Sequence, residues 1–154
     1  MTELRVGVVD VYVICPTSDP WRLLVLRRGA GTRCTGAWEA IHGRIEPGES
    51  PHAAAIRETE EETGLAIERL YNVCCQPFYL HKAEVVQMAV AFAAFVDEAF
   101  DPRLSPEHDA FDWLPYDEGT ERLVWPRSRH ALRDIKTLLA NGNAGPVEDV
   151  MRVL

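Results

Sequence analysis

The segment from Gly43 to Gly64 constrains the fold of this chain most strongly, because it joins a glycine-containing loop to a helix marked at both ends. Ser50 can cap the helix N-terminus, and Pro51 suits the first helical position. Gly64 is placed to end the helix in a left-handed conformation. The sequence therefore predicts a helix over Ser50–Thr63 that is entered through a loop beginning at Gly43.

The predicted helix carries an acidic stripe on one face. Glu58, Glu61 and Glu62 follow the i, i+3, i+4 spacing, so their side chains share one side of the helix. Clustered carboxylates repel one another, and a helix that only needed solubility would alternate them with lysine or arginine. Because Mg²⁺ prefers carboxylate oxygens, the stripe is interpreted as a divalent-cation site and not as a solvated face.

The glycines before the helix favour a site for an anion beside this metal site. Gly43 and Gly48 lie in the loop that enters the helix. Such a loop can expose backbone N–H groups to a phosphate at the helix N-terminus. A phosphate at the loop and a cation on the helix would together bind a pyrophosphate group.

The spacing of the whole segment resembles the Nudix box. Gly43 is followed after five residues by Glu49 and after seven more by the run Arg57-Glu58-Thr59-Glu60-Glu61-Glu62-Thr63-Gly64-Leu65. Two departures are visible. Thr59 stands where the family usually has an aliphatic residue, and Ile41-His42 precedes Gly43 where many members have Pro-Gly. We expect the Thr59 hydroxyl to donate to the carbonyl of Ala55, which would preserve the helix.

The resemblance implies an α/β fold, the Nudix fold, in which a mixed β-sheet is sandwiched between helices (α/β/α), here as a single domain over residues 1–154. It also implies that Glu58, Glu61 and Glu62 bind the metal, with Mg²⁺ as cofactor and Mn²⁺ able to substitute. Arg57 is implied to orient a carboxylate by ion pairing, with Glu49 as the candidate partner. Gly43 and Gly64 are implied to be structural.

Further site candidates lie outside this segment. The run Leu104-Ser105-Pro106-Glu107-His108 resembles a segment of several Nudix branches in which a loop glutamate completes the metal site or deprotonates the water. Glu107 matches that glutamate, and an exposed loop acid is the alternative. Arg27 and Arg28, at the end of an early strand, are candidates for contacting a substrate phosphate together with Gly43, although an ordinary surface pair would look the same.

The remaining elements are predicted from hydrophobic periodicity. Strands are predicted at residues 5–15, 23–26 and 38–41, and a pair of strands at 70–80 and 85–96 is joined across residues 81–84. A polar loop is predicted over residues 100–112 and a last helix over 127–139. The segment 125–135 is loosely similar to the closing helix of the dihydroneopterin triphosphate and deoxyadenosine triphosphate branch of the family.

Composition limits the partners of the chain. Its 154 residues carry a formal net charge of −8, which disfavours stable binding to nucleic acid or to anionic membranes. A phosphorylated small-molecule substrate would then need bound cations to reverse the local charge. The four cysteines show neither a disulfide framework nor a zinc site, no signal peptide or membrane span is visible, and a cytoplasmic location is expected. A homodimer would be compatible with the resemblance.

The expected reaction is attack of water on one phosphorus of a P–O–P bridge in a nucleoside diphosphate-linked substrate. A nucleoside or pterin triphosphate giving a monophosphate and pyrophosphate is the first expectation. Nucleotide sugars, ADP-ribose and dinucleoside polyphosphates are alternatives, and a non-catalytic ligand-binding module is a further one. Either Glu62 or Glu107 could act as the general base.

Overall fold

The structure is a computed structural model that describes all 154 residues as one sheet with helices on both faces. The elements in chain order are β1 (Glu3–Cys15), β2 (Arg22–Arg28), β3 (Trp38–Glu39), β4 (Ile41–Arg44), α1 (Pro51–Thr63), β5 (Leu70–Leu80), β6 (Val85–Phe95), β7 (His108–Pro115), α2 (Tyr116–Arg122), α3 (Pro126–Leu138), a 3-10 turn (Gly145–Val147) and α4 (Glu148–Met151). None of these helices combines the length and the apolar character needed to cross a membrane.

The seven strands form one mixed sheet around β1. Strand β1 runs parallel to β6 and antiparallel to β2 and β4. Strand β5 pairs with β6 at one edge, while β3 and β7 pair with β2 on the other side. The second half of β1, from Val8 to Cys15, is buried throughout, as expected for a strand covered on both faces.

Two hydrophobic clusters lie on opposite faces of the sheet, because successive side chains of a strand point to opposite sides. Val9, Val11 and Val13 of β1 pack with Ala54 and Ala55 of α1. The alternate β1 residues, Tyr12 and Ile14, pack with Ala131, Leu132 and Ile135 of α3. The α/β/α arrangement expected from the sequence is therefore confirmed.

Helix α1 has the ends that the sequence predicts. The Ser50 hydroxyl accepts a hydrogen bond from the backbone N–H of Ala53, and Gly64 ends the helix with φ of 75°. The Thr59 hydroxyl donates to the carbonyl of Ala55 at 2.7 Å, so this departure from the usual box is accommodated inside the helix. Helix α1 therefore packs Ala54 and Ala55 against the sheet and carries Glu61 on its exposed side.

The prediction of a loop over residues 100–112 was wrong in its second part. His108 begins β7, which pairs antiparallel with β2 from Arg28↔His108 to Arg22↔Pro115. The short helix α2 was not predicted either, and the apolar run at 38–41 is divided between β3 and β4. The physical reason is that β7 is stabilised by its partner strand about 80 residues earlier, which no local pattern reveals.

The N-terminus of α3 is tied to the sheet by a buried ion cluster. Asp10 of β1 accepts a hydrogen bond from Arg127 Nε at 2.8 Å, and its second oxygen lies 2.7 Å from His42 Nδ1. The guanidinium of Arg127 also stacks over the ring of Phe78, 4.3 Å from its centroid. These contacts hold α3 against the face of the sheet opposite to α1.

Candidate active site

The three stripe glutamates of α1 occupy three different environments. The side chain of Glu61 is 58% exposed, that of Glu58 is 14% exposed and that of Glu62 is only 4% exposed. The helix turns Glu62 towards β3 and β7 and leaves Glu61 at the surface. The three glutamates, which are equivalent in the sequence pattern, therefore differ in side-chain exposure in the structure.

Arg57 joins the loop before α1 to the acidic face of the helix. Its guanidinium makes a two-pronged contact with Glu49, with Nε–Oε1 and Nη2–Oε2 distances of 2.8 and 3.0 Å. It also donates to Glu58 Oε1 at 2.8 Å and to the backbone carbonyl of Arg44. The hydrogen bonds from Arg57, together with one from the backbone N–H of Glu46, lower the pKa of Glu49 to about 2, so this carboxylate remains ionised. The expected pairing of Arg57 with Glu49 is present. The same guanidinium also holds the carboxylate of Glu58.

Gly43 leaves the space that Glu58 occupies. A Cβ atom added to Gly43 would lie 2.0 Å from Glu58 Cδ, a distance at which the carboxyl group would have to move. The Gly43 backbone itself pairs with Val9 in the sheet. The absence of a side chain at this position thus permits β4 to approach the acidic face of α1.

We expect Gly43→Ala to lower kcat by about 10²-fold, because a displacement of about 1 Å at a reacting centre has effects of this size. The reason is the displacement of the Glu58 carboxyl group. Steady-state kinetics and thermal melting of the variant would measure it. Unchanged kcat in Gly43→Ala would contradict this assignment.

Glu107 lies beside the helix glutamates although it is remote from them in sequence. It is exposed in the turn before β7, and its carbonyl accepts a hydrogen bond from the backbone N–H of Gly29 at 2.9 Å. Burial raises the pKa of Glu58, and the neighbouring charges of Glu61 and Glu107 raise it further. We refer to Glu58, Glu62 and Glu107 as the carboxylate cluster.

Glu62 is the most perturbed member of the carboxylate cluster. Burial is the largest cause, and the charges of Glu58, Glu107 and Glu39 add to it, so that the pKa of Glu62 is raised to about 10. Its Oε2 atom is buried and has no hydrogen-bond partner. The nearest cationic or imidazole nitrogen is His108 Nδ1, at 3.9 Å.

The two early arginines are both engaged in ion pairs. Arg27 Nε lies 2.7 Å from Asp109 Oδ1 in a pair that is two-fifths exposed or more. Arg28 points inward, where Nη1 donates to Glu39 Oε1 at 2.9 Å and Nε donates to the carbonyl of Arg33. Neither guanidinium is therefore free without a rearrangement, and that of Arg27 is the more accessible.

The chemistry of the carboxylate cluster fits a hard divalent cation. As the side chains stand, no three His, Cys, Asp or Glu residues are arranged to hold a metal ion. However, the charge of Glu107 adds to the raised pKa of both Glu58 and Glu62, and the charge of Glu58 adds to that of Glu62. A cation with oxygen ligands would offset this repulsion, so the donor set fits such an ion.

Two residues of the site were not predicted from the sequence. Glu39 and His108 are both buried and contact each other at 3.0 Å between Glu39 Oε1 and His108 Nε2. Their only sequence signals are adjacency: His108 directly follows Glu107, and Glu39 lies four residues before Gly43. Adjacency alone could not show that the two side chains meet behind Glu62.

Comparison with known proteins supports the family resemblance over most of the chain. A family model described as NUDIX domain matches residues 5–135. An octanoyltransferase from Myxococcus xanthus is 35% identical over 127 residues, which are 81% of this chain and 35% of that protein. The chain therefore spans about a third of the length of that relative.

One further relative and one solved structure are similar to this chain over most of its length. A bis(5'-nucleosyl)-tetraphosphatase [asymmetrical] from Rattus norvegicus is 28% identical over 102 residues, covering 63% of this chain and 68% of that protein. The solved structure of the E. coli dihydroneopterin triphosphate pyrophosphohydrolase superposes with a TM-score of 0.70 at 18% identity, covering 92% of this chain and 99% of that one. At that identity the structural likeness concerns the fold alone.

Proposed function

This chain belongs to the Nudix family, and from that membership we propose that it is a divalent-metal-dependent hydrolase that cleaves a P–O–P bridge in a nucleoside diphosphate-linked substrate. The observation that carries the proposal is the convergence of Glu107 with Glu58 and Glu62. Two elements separated by some 50 positions of sequence here supply one carboxylate cluster, with Arg57 placed to orient it.

In this proposal Glu58, Glu61 and Glu62 hold the cation, with Mg²⁺ as the first expectation and Mn²⁺ as a substitute. When bound, the cation neutralises phosphate oxygens and makes a bound water more acidic. Arg57 keeps Glu58 in place through its hydrogen bond of 2.8 Å. The ion pair of Arg57 with Glu49 ties the loop before α1 to the helix.

Glu107 is the proposed general base. It is exposed, so a water molecule can reach it, whereas Glu62 is buried against β3 and β7. Glu107 would take a proton from the attacking water. The water oxygen then forms a bond to phosphorus as the bridging P–O bond breaks. The leaving phosphate carries away the electron pair of that bond. Charge stabilisation and positioning supply most of the rate in such reactions.

Arg27 is proposed to contact a phosphate of the substrate. Its pair with Asp109 is exposed, so the guanidinium can exchange this partner for a phosphate at small cost. Arg28 and Gly43 support the site from behind, since Arg28 is paired with Glu39 and Gly43 makes room for Glu58. Because the net charge is −8, a cationic side chain near the phosphates would help to bind an anionic substrate.

A nucleoside or pterin triphosphate is the first proposed substrate, giving a monophosphate and pyrophosphate. A dinucleoside polyphosphate is the second candidate, because a tetraphosphatase is 28% identical over 102 residues. A non-catalytic binding module is disfavoured, since every glutamate of the box is present.

The test is a panel assay of the purified chain with Mg²⁺ over triphosphates, dinucleoside polyphosphates, ADP-ribose and nucleotide sugars. Products would be identified by mass spectrometry in isotopically labelled water, which shows the phosphorus that is attacked. Glu58→Gln is the matched inactive control. Binding of a panel compound without turnover would favour the non-catalytic module.

Metal removal should abolish turnover. In excess EDTA we expect no activity above the uncatalysed rate, with recovery on adding Mg²⁺ or Mn²⁺, because the carboxylate cluster repels an anionic substrate when no cation is bound. The same assay with K⁺ alone is the control for ionic strength. Full turnover in excess chelator would refute the metal dependence.

A further inference from the structure

We propose that Glu39 and His108 are positioning residues that fix the orientation of the Glu62 carboxyl group, with Arg28 supporting Glu39. The inference rests on the proposed function, because it takes Glu62 as a member of the metal-binding set. It assigns a role to two buried polar residues outside the box.

The residues form a continuous polar chain that crosses three elements of the sheet. Arg28 stands at the end of β2, Glu39 on β3 and His108 at the start of β7. Glu39 Oε1 accepts hydrogen bonds from Arg28 Nη1 at 2.9 Å and from His108 Nε2 at 3.0 Å. The side chains of Glu39 and His108 are 6% and 0% exposed, so water does not compete for these bonds.

The direction of these hydrogen bonds orients the imidazole ring. An ionised carboxylate only accepts hydrogen bonds, so Glu39 assigns the N–H to Nε2 of His108. The opposite ring atom, Nδ1, then lies 3.9 Å from Glu62 Oε2. Both of these atoms are buried and have no other partner. The two atoms can share one proton, so a small rotation of the Glu62 carboxyl group turns this contact into a hydrogen bond and leaves its other oxygen for the carboxylate cluster.

Stability alone is a poor reason for this arrangement. Burying Arg28, Glu39 and His108 removes polar groups from water, and apolar residues of similar volume are often as stable or more stable in such places. This polar chain of side chains leads to Glu62, which is the one stripe glutamate that the helix turns inward. Groups that lie behind a metal-binding carboxylate commonly orient it and adjust its affinity.

The test measures metal binding without substrate, so that it does not depend on which compound is hydrolysed. His108→Phe keeps an aromatic ring, although a larger one than imidazole, and removes both nitrogens. We expect its affinity for Mn²⁺, measured by calorimetry on the apo protein, to fall by about 10–100-fold. On the best panel substrate, kcat should fall in the same range while KM changes less than about threefold.

Variants of Glu39 test the same polar chain of side chains by removing the acceptor of its hydrogen bonds. Glu39→Gln keeps an amide oxygen that can accept the hydrogen bonds from Arg28 and His108, whereas Glu39→Leu keeps no acceptor. We therefore expect Glu39→Gln to retain most of the Mn²⁺ affinity and Glu39→Leu to lose about as much as His108→Phe. These two variants also preserve the test if His108→Phe does not fold.

Two controls separate positioning from a general loss of structure. Tyr12→Phe removes another buried and unpartnered polar atom, on the opposite face of the sheet, and should leave Mn²⁺ affinity unchanged. In a Glu62→Gln background, His108→Phe should weaken Mn²⁺ binding less than about twofold, because a residue that acts through Glu62 has nothing left to orient.

The outcomes distinguish this inference from the proposed function. Folded His108→Phe and Glu39→Leu variants with wild-type Mn²⁺ affinity would overturn the inference even if the wild type hydrolyses a panel substrate. Absence of Mn²⁺ binding to the wild type would also overturn it. Weakened Mn²⁺ binding in both variants would support it even if no panel compound is hydrolysed, in which case only the proposed function fails.

Discussion

Glu107→Gln is expected to lower kcat by about 10²–10⁴-fold, the usual effect of removing a general base, with a change in KM of less than about threefold. Glu107 is exposed in the turn before β7 and adjoins Glu58 and Glu62. A base that accepts the proton of the attacking water acts mainly in the transition state. Its loss should therefore be seen in kcat.

The measurement is steady-state kinetics of this variant at saturating Mg²⁺. Glu98→Gln is the matched control, since Glu98 is also an exposed loop glutamate and makes no hydrogen bond or ion pair in this structure. The control should retain wild-type kinetics and stability within about 0.5 kcal/mol. A kcat for Glu107→Gln within about threefold of wild type would instead assign the general base to the box, with Glu62 as the next candidate.

Glu62→Gln is expected to lower kcat by orders of magnitude and to increase the thermal stability of the metal-free protein. The activity falls because an amide supplies a weaker ligand than a carboxylate for a hard cation. The stability rises because the substitution removes a buried acid that is surrounded by Glu58, Glu107 and Glu39. A residue needed only for folding would show the opposite effect on stability.

The stability gain of Glu62→Gln should depend on pH in a defined direction. The raised pKa of Glu62, about 10, lies above the value of about 4.3 expected in the unfolded chain. Between these values the folded protein keeps a proton that the unfolded chain releases, so the free energy of unfolding of the wild type falls as pH rises. Glutamine does not titrate, and the variant escapes this loss. The advantage of the variant is therefore smallest near pH 4.3 and grows towards pH 10.

Thermal melting in EDTA at pH values of about 5.5 and 8.5 would measure this difference. We expect the melting temperature of Glu62→Gln to exceed that of the wild type by at least about 3 °C more at the higher pH. Glu61→Gln is the control, because Glu61 is largely exposed and should show no such growth. A variant that melts below the wild type at both pH values would show that the Glu62 carboxyl stabilises the fold.

Helix α1 could be predicted from sequence because its determinants are local. The Ser50 cap, Pro51 and the Gly64 terminus act within one turn of the residues they stabilise, and the Thr59 hydroxyl bonds to a carbonyl four residues earlier. The pair of Arg57 with Glu49 spans eight residues and followed from the family resemblance. The mixed sheet between helices followed from the same resemblance.

Strand β7 and helix α2 could not be predicted in this way. The hydrogen bonds of β7 come from β2, which precedes it by about 80 residues, and the polar, proline-marked sequence around it looked like a loop. The position of Glu107 depends on this pairing, because Gly29 at the end of β2 donates to its carbonyl. Sequence comparison could name Glu107 as a candidate, but only strand pairing brings it to α1.

The sequence by itself determined which residue types share one helix face, since the spacing of Glu58, Glu61 and Glu62 is a property of any α-helix. It could not determine that Glu61 is exposed while Glu62 is buried, because the rotation of α1 against the sheet decides this. It could not show that Arg28, Glu39 and His108 meet behind Glu62 either. Helical periodicity acts over a few residues, whereas burial and the raised pKa of Glu62 arise from strands that only the tertiary structure brings together.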